Sequence, residues 1–179
     1  MARIGIFFGT ETGRTRLIAK QIAKKLGAAA AAPVNIGRTT LADFLAHDAL
    51  ILGSPTLGEG ELPGLSVGLS QPSWEEFLPQ LEGADLTGKT VAIYGLGDQK
   101  KYPNEFVDAI GLIHAALRAG GARVVGRWPS TGYEFTASRS VDGDHFLGLA
   151  LDQINQPLLT EERLDTWLTQ IQAELLPST

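Results

Sequence analysis

Short apolar runs alternate with helical patterns along the whole chain. The runs at 3–8, 34–36, 49–53, 90–94 and 123–128 are mostly apolar without regular alternation, which is typical of strands covered on both faces of a parallel sheet. Apolar residues recur at helical spacing in the segments 17–26, 106–117 and 164–175. This order of elements predicts an open, doubly wound α/β fold with five parallel strands and helices on both faces.

Capping patterns mark the starts of two helices. Ser73-Trp74-Glu75-Glu76 has the form of a capping box, which predicts a short helix, and we expect Trp74 to be a packing anchor. Thr160 precedes two glutamates and predicts the cap of the C-terminal helix.

A polar, turn-rich segment at 130–145 lies between the apolar runs 123–128 and 146–151. An excursion that splits the last strand explains this pattern, and we place such an insertion at about 130–146. A chain of 179 residues is long enough for a single domain with a full core, so we expect one domain over 1–179.

Composition narrows the possible chemistry. The chain has no cysteine, which excludes disulfides, thiolate iron–sulfur ligation and thiol catalysis, so redox chemistry would reside in a bound organic cofactor. A net charge of −5 argues against a nucleic-acid partner and favours a basic protein partner. No apolar stretch approaches the roughly 20 residues of a membrane helix, and the first strand follows no secretion signal. We therefore expect a cytoplasmic protein that does not enter a membrane.

The turn at 10–15 joins the first predicted strand to the first predicted helix. It combines hydroxyl groups, a glycine that permits close backbone approach, and the unpaired N–H groups of a helix N-terminus, which together suit a phosphate. The candidate residues are Thr10, Glu11, Thr12, Gly13, Arg14 and Thr15. The spacing matches neither a P-loop nor the Gly-x-Gly-x-x-Gly dinucleotide fingerprint. An ordinary threonine cap is the alternative, and Arg14 either neutralises the phosphate or faces solvent.

Two later loops should meet this turn, because ligands of open α/β sheets bind beyond the carboxyl ends of the strands. The second loop is rich in glycine and acid, and its candidates are Pro55, Thr56, Leu57, Gly58, Glu59 and Gly60. Gly58 tolerates positive φ, so the peptide after it can turn its carbonyl toward the N5 atom of a flavin. The third loop offers backbone polar groups for a pyrimidine edge and a ring for stacking; its candidates are Gly95, Leu96, Gly97, Asp98 and Tyr102.

Together the three loops predict a site for flavin mononucleotide (FMN). A plain mobile surface loop and a half-buried surface tyrosine are the alternatives for the second and third loops. Glu59, Glu61 and Asp98 lie near the predicted ring, and the fully reduced flavin is an anion. A unit charge about 8 Å away at an effective dielectric near 20 contributes about 2 kcal/mol before salt screening. We therefore predict a low-potential one-electron carrier whose acidic rim steers basic partners.

With these motifs the chain resembles the flavodoxins over essentially its full length, and its insertion resembles the long-chain subgroup. The matching segments are 10–15, 55–60, 97–99 with Tyr102, and 149–152. The resemblance implies a flavodoxin-like sheet of strand order 2-1-3-4-5 with an insertion in the last strand. It also implies one non-covalent FMN, no enzymatic substrate, and cycling between semiquinone and hydroquinone. By resemblance Thr10, Thr12 and Thr15 hold the phosphate, the segment 56–60 lines one side of the ring, and Tyr102 covers the other.

The segments 55–64 and 73–77 most resemble flavodoxins that donate electrons to nitrogenase. This resemblance implies the nitrogenase iron protein as acceptor, a reductase or oxidoreductase as donor, and a monomer. A general flavodoxin for another redox partner and an FMN-dependent quinone reductase on the same fold are the alternatives. Two positions depart from the family pattern. Leu57 stands where many relatives carry tryptophan, and Ile154 stands where relatives often carry an acidic residue near the ribityl chain.

Overall fold

A computed structural model describes residues 3–176 of the chain. Its strands are β1 (Gly5–Phe8), β2 (Val34–Asn35), β3 (Ala49–Pro55), β4 (Thr90–Leu96), β5 (Arg123–Val125), β6 (Trp128–Pro129), β7 (Val141–Asp142), β8 (His145–Phe146) and β9 (Leu149–Leu151). Its α-helices are α1 (Arg14–Leu26), α2 (Leu41–Leu45), α3 (Trp74–Phe77), α4 (Asp108–Ala119) and α5 (Thr160–Leu175). Strands and helices alternate from β1 to β5, as the apolar pattern predicts, and the strands β5 to β9 then follow one another without a helix.

The main sheet is parallel, with the order β2-β1-β3-β4-β5, which confirms the predicted topology. The central strand β3 pairs with β1 on one side and, over its full length, with β4 on the other. Because these three strands run in the same direction, their carboxyl ends lie at one edge of the sheet. The loops that follow them start from that edge.

The fifth position of the sheet is filled by two separate pieces of chain. β5 pairs with Thr90–Ala92 of β4, and β9 pairs with Tyr94–Leu96 of the same strand. The last strand is therefore split, as predicted. The insertion runs over 126–148 and extends a few residues beyond the expected range of 130–146, because the ends of both flanking apolar runs belong to it. Inside the insertion, β6, β8 and β7 form a small antiparallel sheet.

Helices cover both faces of the main sheet. On one face, α1 and α5 bury residues such as Ile22 and Trp167 against the strands. On the other face, α2, α3 and α4 bury Phe44, Trp74 and Ile113. Within residues 3–176, no helix is long and apolar enough to cross a membrane. The sheet is thus covered on both sides, which explains the continuous apolar character of its strands.

The two predicted helix caps have different outcomes. Ser73 occupies the N-cap position of α3, and its N–H donates to the Glu76 carboxylate at 2.8 Å, as the capping box predicts. The prediction for Thr160 is wrong, because Thr160 already has helical dihedral angles as the first residue of α5. Pro157 opens a 3-10 turn that leads directly into α5, since its fixed φ and missing N–H suit a first helical turn.

Candidate functional site

The turn at 10–15 leads from β1 into the N-terminus of α1. Gly13 adopts φ +91°, a left-handed conformation that disfavours other residues, and its N–H donates to the Thr10 hydroxyl at 3.0 Å. The first hydrogen bond of α1 runs from Leu17 N–H to the Gly13 carbonyl. The backbone N–H groups of residues 11, 12 and 14–16 find no acceptor within residues 3–176. The turn therefore presents several free donors at the positive end of a helix dipole, which suits a phosphate.

The side chains of this turn differ in their exposure. Glu11, Thr12 and Arg14 are exposed, whereas Thr15 is buried at 2 % exposure. The buried Tyr94 of β4 donates from its hydroxyl to the Thr15 carbonyl at 2.9 Å and so ties α1 to the sheet. The helix end of the turn is thus fixed to the sheet. The three predicted threonine ligands stay predictions.

The second loop is a tight turn closed by a short antiparallel bridge. Leu57 N–H donates to the Glu61 carbonyl at 2.8 Å, and Glu61 N–H donates back to the Leu57 carbonyl at 2.7 Å. Gly58 and Gly60 both have positive φ, at +48° and +89°. The predicted positive φ at Gly58 is therefore present, and the Gly58–Glu59 peptide lies at the exposed tip of the turn.

The second loop contacts the N-terminus of α4 through Thr56. The Thr56 hydroxyl accepts the Ala109 N–H at 3.0 Å, so this side chain caps α4. On the same first turn of α4, the Asp108 carboxylate lies beside Gly60, where a Cβ would be 2.6 Å from Asp108 Oδ2. Asp108 Oδ1 accepts the Arg139 N–H of the insertion at 2.8 Å. Burial raises the pKa of Asp108, and the interactions with Arg139 oppose that rise only in part.

The third loop begins later than predicted. Gly95 and Leu96 belong to β4 and are buried, and the Leu96 side chain packs into the core. The prediction that these two residues lie in a loop is wrong, because the pairing of β4 with β9 extends the strand to Leu96. The loop starts at Gly97, whose N–H donates to the Leu151 carbonyl of β9 at 3.0 Å. Pro55, at the end of the second predicted segment, is likewise the last residue of β3.

Asp98 closes the turn that carries Tyr102. Its Oδ1 accepts the N–H groups of Lys100 and Lys101 at 3.2 and 2.9 Å, and its carbonyl accepts the Tyr102 N–H at 2.9 Å. The Lys101 ammonium lies 5.4 Å from the centroid of the Tyr102 ring. This local network fixes the position of the half-buried tyrosine.

Asp152, immediately after β9, fixes the position of the third loop through hydrogen bonds to Gln99. Its carboxylate is 1 % exposed and accepts both N–H groups of Gln99, from the backbone at 3.0 Å and from the side chain at 2.7 Å. It also accepts the backbone N–H of Ile154 at 3.1 Å and two N–H groups of Asn155, each at 2.9 Å. Burial by itself would raise the pKa of Asp152, but these hydrogen bonds lower the pKa below its ordinary value. Asp152 is therefore ionised at neutral pH.

The three loops converge on a cavity of about 470 Å³. Its lining comes from all three loops and from one further segment: Glu11, Thr56, Leu57, Gly58, Glu61, Ser66, Val67 and Tyr102. Of the predicted site residues, Glu11, Thr56, Leu57, Gly58 and Tyr102 line this cavity. The other predicted residues do not line it, and Thr10 lines a separate cavity of about 430 Å³. Larger cavities of about 730 and 600 Å³ lie elsewhere and contain no residue of the predicted site. The cavity of about 470 Å³ joins the loops after β1, β3 and β4, so it is the candidate functional site.

Three residues that line this cavity were not among the predicted cofactor-binding residues: Glu61, which was expected only near the ring, Ser66 and Val67. Ser66 and Val67 line the cavity from a segment that reads as an ordinary Gly/Pro/Ser connection. Gln99 and Asp152 lie in the segments 97–99 and 149–152 that match the flavodoxins, but neither was a predicted cofactor contact. They act from outside the cavity by fixing the third loop. Among the described residues, no three His, Asp or Glu side chains are grouped so as to hold a metal ion.

Comparisons with known proteins identify the family and the fold of this chain. A family model described as flavodoxin matches residues 6–167. A flavodoxin of Klebsiella pneumoniae is 56% identical over 176 residues, which cover 98% of this chain and 100% of the relative. Flavodoxin 1 of Escherichia coli K12 is 46% identical, with coverage of 98% and 96%. The crystal structure of Fusobacterium nucleatum flavodoxin bound to FMN superimposes with a TM-score of 0.88 at 32% identity, covering 98% of this chain and 99% of that one.

Proposed function

We propose that this chain holds FMN in the cavity between its three loops. The chain belongs to the flavodoxin family, and it is therefore an FMN-binding electron carrier rather than an enzyme. The chain would form one FMN-binding domain, and its insertion would place it in the long-chain subgroup. Bound FMN supplies the reversible gain and loss of single electrons. The observation that carries the proposal is that residues of all three loops line a single cavity.

The phosphate would lie at the N-terminus of α1. The free backbone N–H groups of residues 11, 12 and 14–16 can donate to phosphate oxygens, and the 13-residue helix adds its dipole. The segment 56–60 would line one side of the ring, and Tyr102 would cover the other. Leu57 is 9% exposed and lines the cavity, so it offers an apolar surface where relatives often carry tryptophan.

The negative charges around the cavity would lower the reduction potential of the bound FMN. Glu11 and Glu61 line the cavity, and Asp98 lies in the turn that carries Tyr102. Each unit of negative charge at about 8 Å in a medium of effective dielectric near 20 disfavours an added electron by about 2 kcal/mol before salt screening. These carboxylates would therefore favour release of the electron to an acceptor.

Titration of the purified protein with FMN and with riboflavin tests this assignment. We expect tight, stoichiometric quenching of FMN fluorescence and much weaker binding of riboflavin, because riboflavin leaves the phosphate donors at α1 unfilled. Reduction by dithionite under anaerobic conditions should proceed in two separated one-electron stages. A protein that binds neither flavin, or that binds both equally, would contradict the proposed site.

We further propose the nitrogenase iron protein as the electron acceptor. The support is the likeness of the segments 55–64 and 73–77 to nitrogenase-donating flavodoxins, and the acidic residues beside the cavity suit a basic docking surface. A reductase or oxidoreductase would supply the electrons. A flavodoxin that serves another redox partner is the second candidate.

Nitrogenase turnover with the reduced carrier as sole electron source separates these two candidates. We expect turnover well above that with free FMN, and a rate that falls as salt rises. Glu61→Gln should lower the rate at low salt more than the distant exposed change Glu162→Gln. If the carrier supports no more turnover than free FMN does, the acceptor is another protein.

A further inference from the structure

A short turn outside the three loops forms part of the cavity wall. Leu65–Val67 is a 3-10 turn, and its residues Ser66 and Val67 line the cavity. The hydrogen bonds within this segment are few: Gly68 N–H donates to the Leu65 carbonyl at 3.1 Å, and Leu69 N–H donates to the Gly64 carbonyl at 3.2 Å. The turn belongs to neither the sheet nor a long helix, so other groups must fix its position.

Two carboxylates on the first turn of α3 hold this segment. Glu76 Oε2 accepts the Leu65 N–H at 3.1 Å, while Glu76 Oε1 accepts the Ser73 N–H at 2.8 Å. Glu75 Oε2 accepts the Ser66 N–H at 3.2 Å, and Glu75 Oε1 accepts the Ser66 hydroxyl. Consecutive N–H groups of the turn are thus bound by consecutive glutamates.

The backbone before the turn also lies against these carboxylates. Glu75 N–H donates to the Pro63 carbonyl at 3.0 Å. A Cβ on Gly64 would lie 2.2 Å from Glu75 Oε2 and 2.9 Å from Glu76 Oε1, so only glycine permits this approach. Burial by itself would raise the pKa of Glu76, but the N–H donors of Ser73 and Leu65 lower the pKa below its ordinary value. Glu76 is therefore ionised at neutral pH and accepts with both oxygens.

The helix that carries the two glutamates is itself anchored to the sheet. Trp74 is fully buried, and its indole N–H donates to the Gly53 carbonyl of β3 at 2.8 Å. Gly9, immediately before the phosphate turn, lies so close to Trp74 that a Cβ there would be 2.6 Å from the indole ring. α3 is thus a fixed support beside the ends of β1 and β3.

We propose that Glu75 and Glu76 are positioning residues for the flavin site, which hold the turn Leu65–Val67 in place as one wall of the cavity. This inference rests on the proposed function only in that the cavity receives FMN. Without the two carboxylates the turn would have to be ordered when FMN binds, and that ordering would weaken binding. Neither glutamate needs to touch the cofactor.

Glu76→Gln is the sharpest test, because an amide offers one oxygen where the carboxylate uses two for different N–H groups. Loss of one hydrogen bond to a charged acceptor should raise the FMN dissociation constant about tenfold. Glu75→Gln removes the same charge from the same helical turn. Its amide oxygen can still accept the Ser66 N–H and its NH₂ can donate to the Ser66 hydroxyl, so the loss should be smaller. Glu162→Gln, exposed on α5, is the control for a general charge effect.

Amide hydrogen exchange at Leu65 and Ser66 provides a readout that does not depend on FMN. In the FMN-free protein, Glu76→Gln should speed exchange at Leu65 while amides of β3 stay protected. If the wild type binds no FMN, the proposed function fails, but this exchange difference still reports whether the carboxylates hold the turn. Unchanged exchange at Leu65, or equal losses of FMN affinity from Glu75→Gln and Glu76→Gln, would overturn the inference.

Discussion

The carboxylate of Asp152 should be among the most costly side chains to neutralise in this protein. Oδ2 accepts three N–H groups, two from Gln99 and one from the Asn155 side chain, and Oδ1 accepts the backbone N–H groups of Ile154 and Asn155. Asp152→Asn keeps the shape but replaces one acceptor by an NH₂ donor. The least harmful orientation places that NH₂ at the Oδ1 position and loses two of these hydrogen bonds.

Each hydrogen bond to a charged group contributes about 1.5–3 kcal/mol net, and more when a buried donor is left unpaired. Ile154 is 53% exposed, so water can replace part of the loss at that N–H. We therefore expect the free energy of unfolding of the FMN-free protein to fall by about 2–4 kcal/mol at pH 7. That is a large share of the roughly 5–15 kcal/mol typical of a folded domain.

Urea unfolding of wild type and Asp152→Asn at several pH values measures this difference. Because the pKa of Asp152 is lowered in the folded state, its contribution is complete above the unfolded pKa near 4 and is lost as pH falls through the folded pKa. The gap between the two proteins should therefore be constant near neutrality and narrow below about pH 4. Asp43→Asn makes the same change at an exposed position. A difference below about 0.5 kcal/mol at pH 7, no larger than that of Asp43→Asn, would refute the role of the carboxylate.

Two further substitutions test close contacts. Gly60→Ala would force φ +89° on alanine and place its Cβ 2.6 Å from Asp108 Oδ2, so urea unfolding should show a loss of about 2–4 kcal/mol. Gly88→Ala has a similar φ without any atom within 4 Å and should cost only about 1 kcal/mol; equal losses would exclude the clash. Lys89→Met removes an ammonium that donates to two carbonyls at the end of α2, at 2.6 and 2.7 Å, and should lower the free energy of unfolding by about 1–3 kcal/mol. The exposed change Lys20→Met should have little effect in the same assay, and a similar result for both lysines would contradict that role.

The main sheet follows from the sequence because its central strands are continuously apolar. β1, β3 and β4 lie where the apolar runs predict them, within about two residues at each end. The limits of the last strand could not be predicted in the same way. Trp128 and Phe146 are as apolar as strand residues, but they belong to the small antiparallel sheet of the insertion. Apolar character alone does not tell which of two sheets a segment joins.

The site shows the same division between local and tertiary information. The turn at 10–15 could be predicted because its free N–H groups, its glycine and the following helix are adjacent in sequence. Val67 could not, because it reaches the site from a distant segment. Asp152 lies in a segment that matches the family, but its contact with Gln99 follows only from the fold. Thr56 shows a third case: it lines the cavity, but its hydroxyl caps α4. A hydroxyl in a motif has more than one available partner, and the fold decides between them.

The two halves of the fifth strand lie in register along one neighbour. Val125 is opposite Ala92, and Leu149 is opposite Tyr94, so only the place opposite Ile93 is skipped. A single residue there would join the two halves into one continuous strand. The whole insertion is thus a detour between points that are already adjacent, and a shortened chain could keep the same sheet.

Such a shortened chain would lose the aromatic side chains of the insertion that bury Phe106. This ring is 1% exposed and packs against Tyr133, Phe135 and Phe146, with centroids 5.4–5.8 Å apart. Without them it would face water at the start of the segment that leads into α4. A miniature version of this protein would therefore need a polar side chain at position 106 as well as the deletion, since the backbone tolerates the shortcut but the exposed ring would promote aggregation.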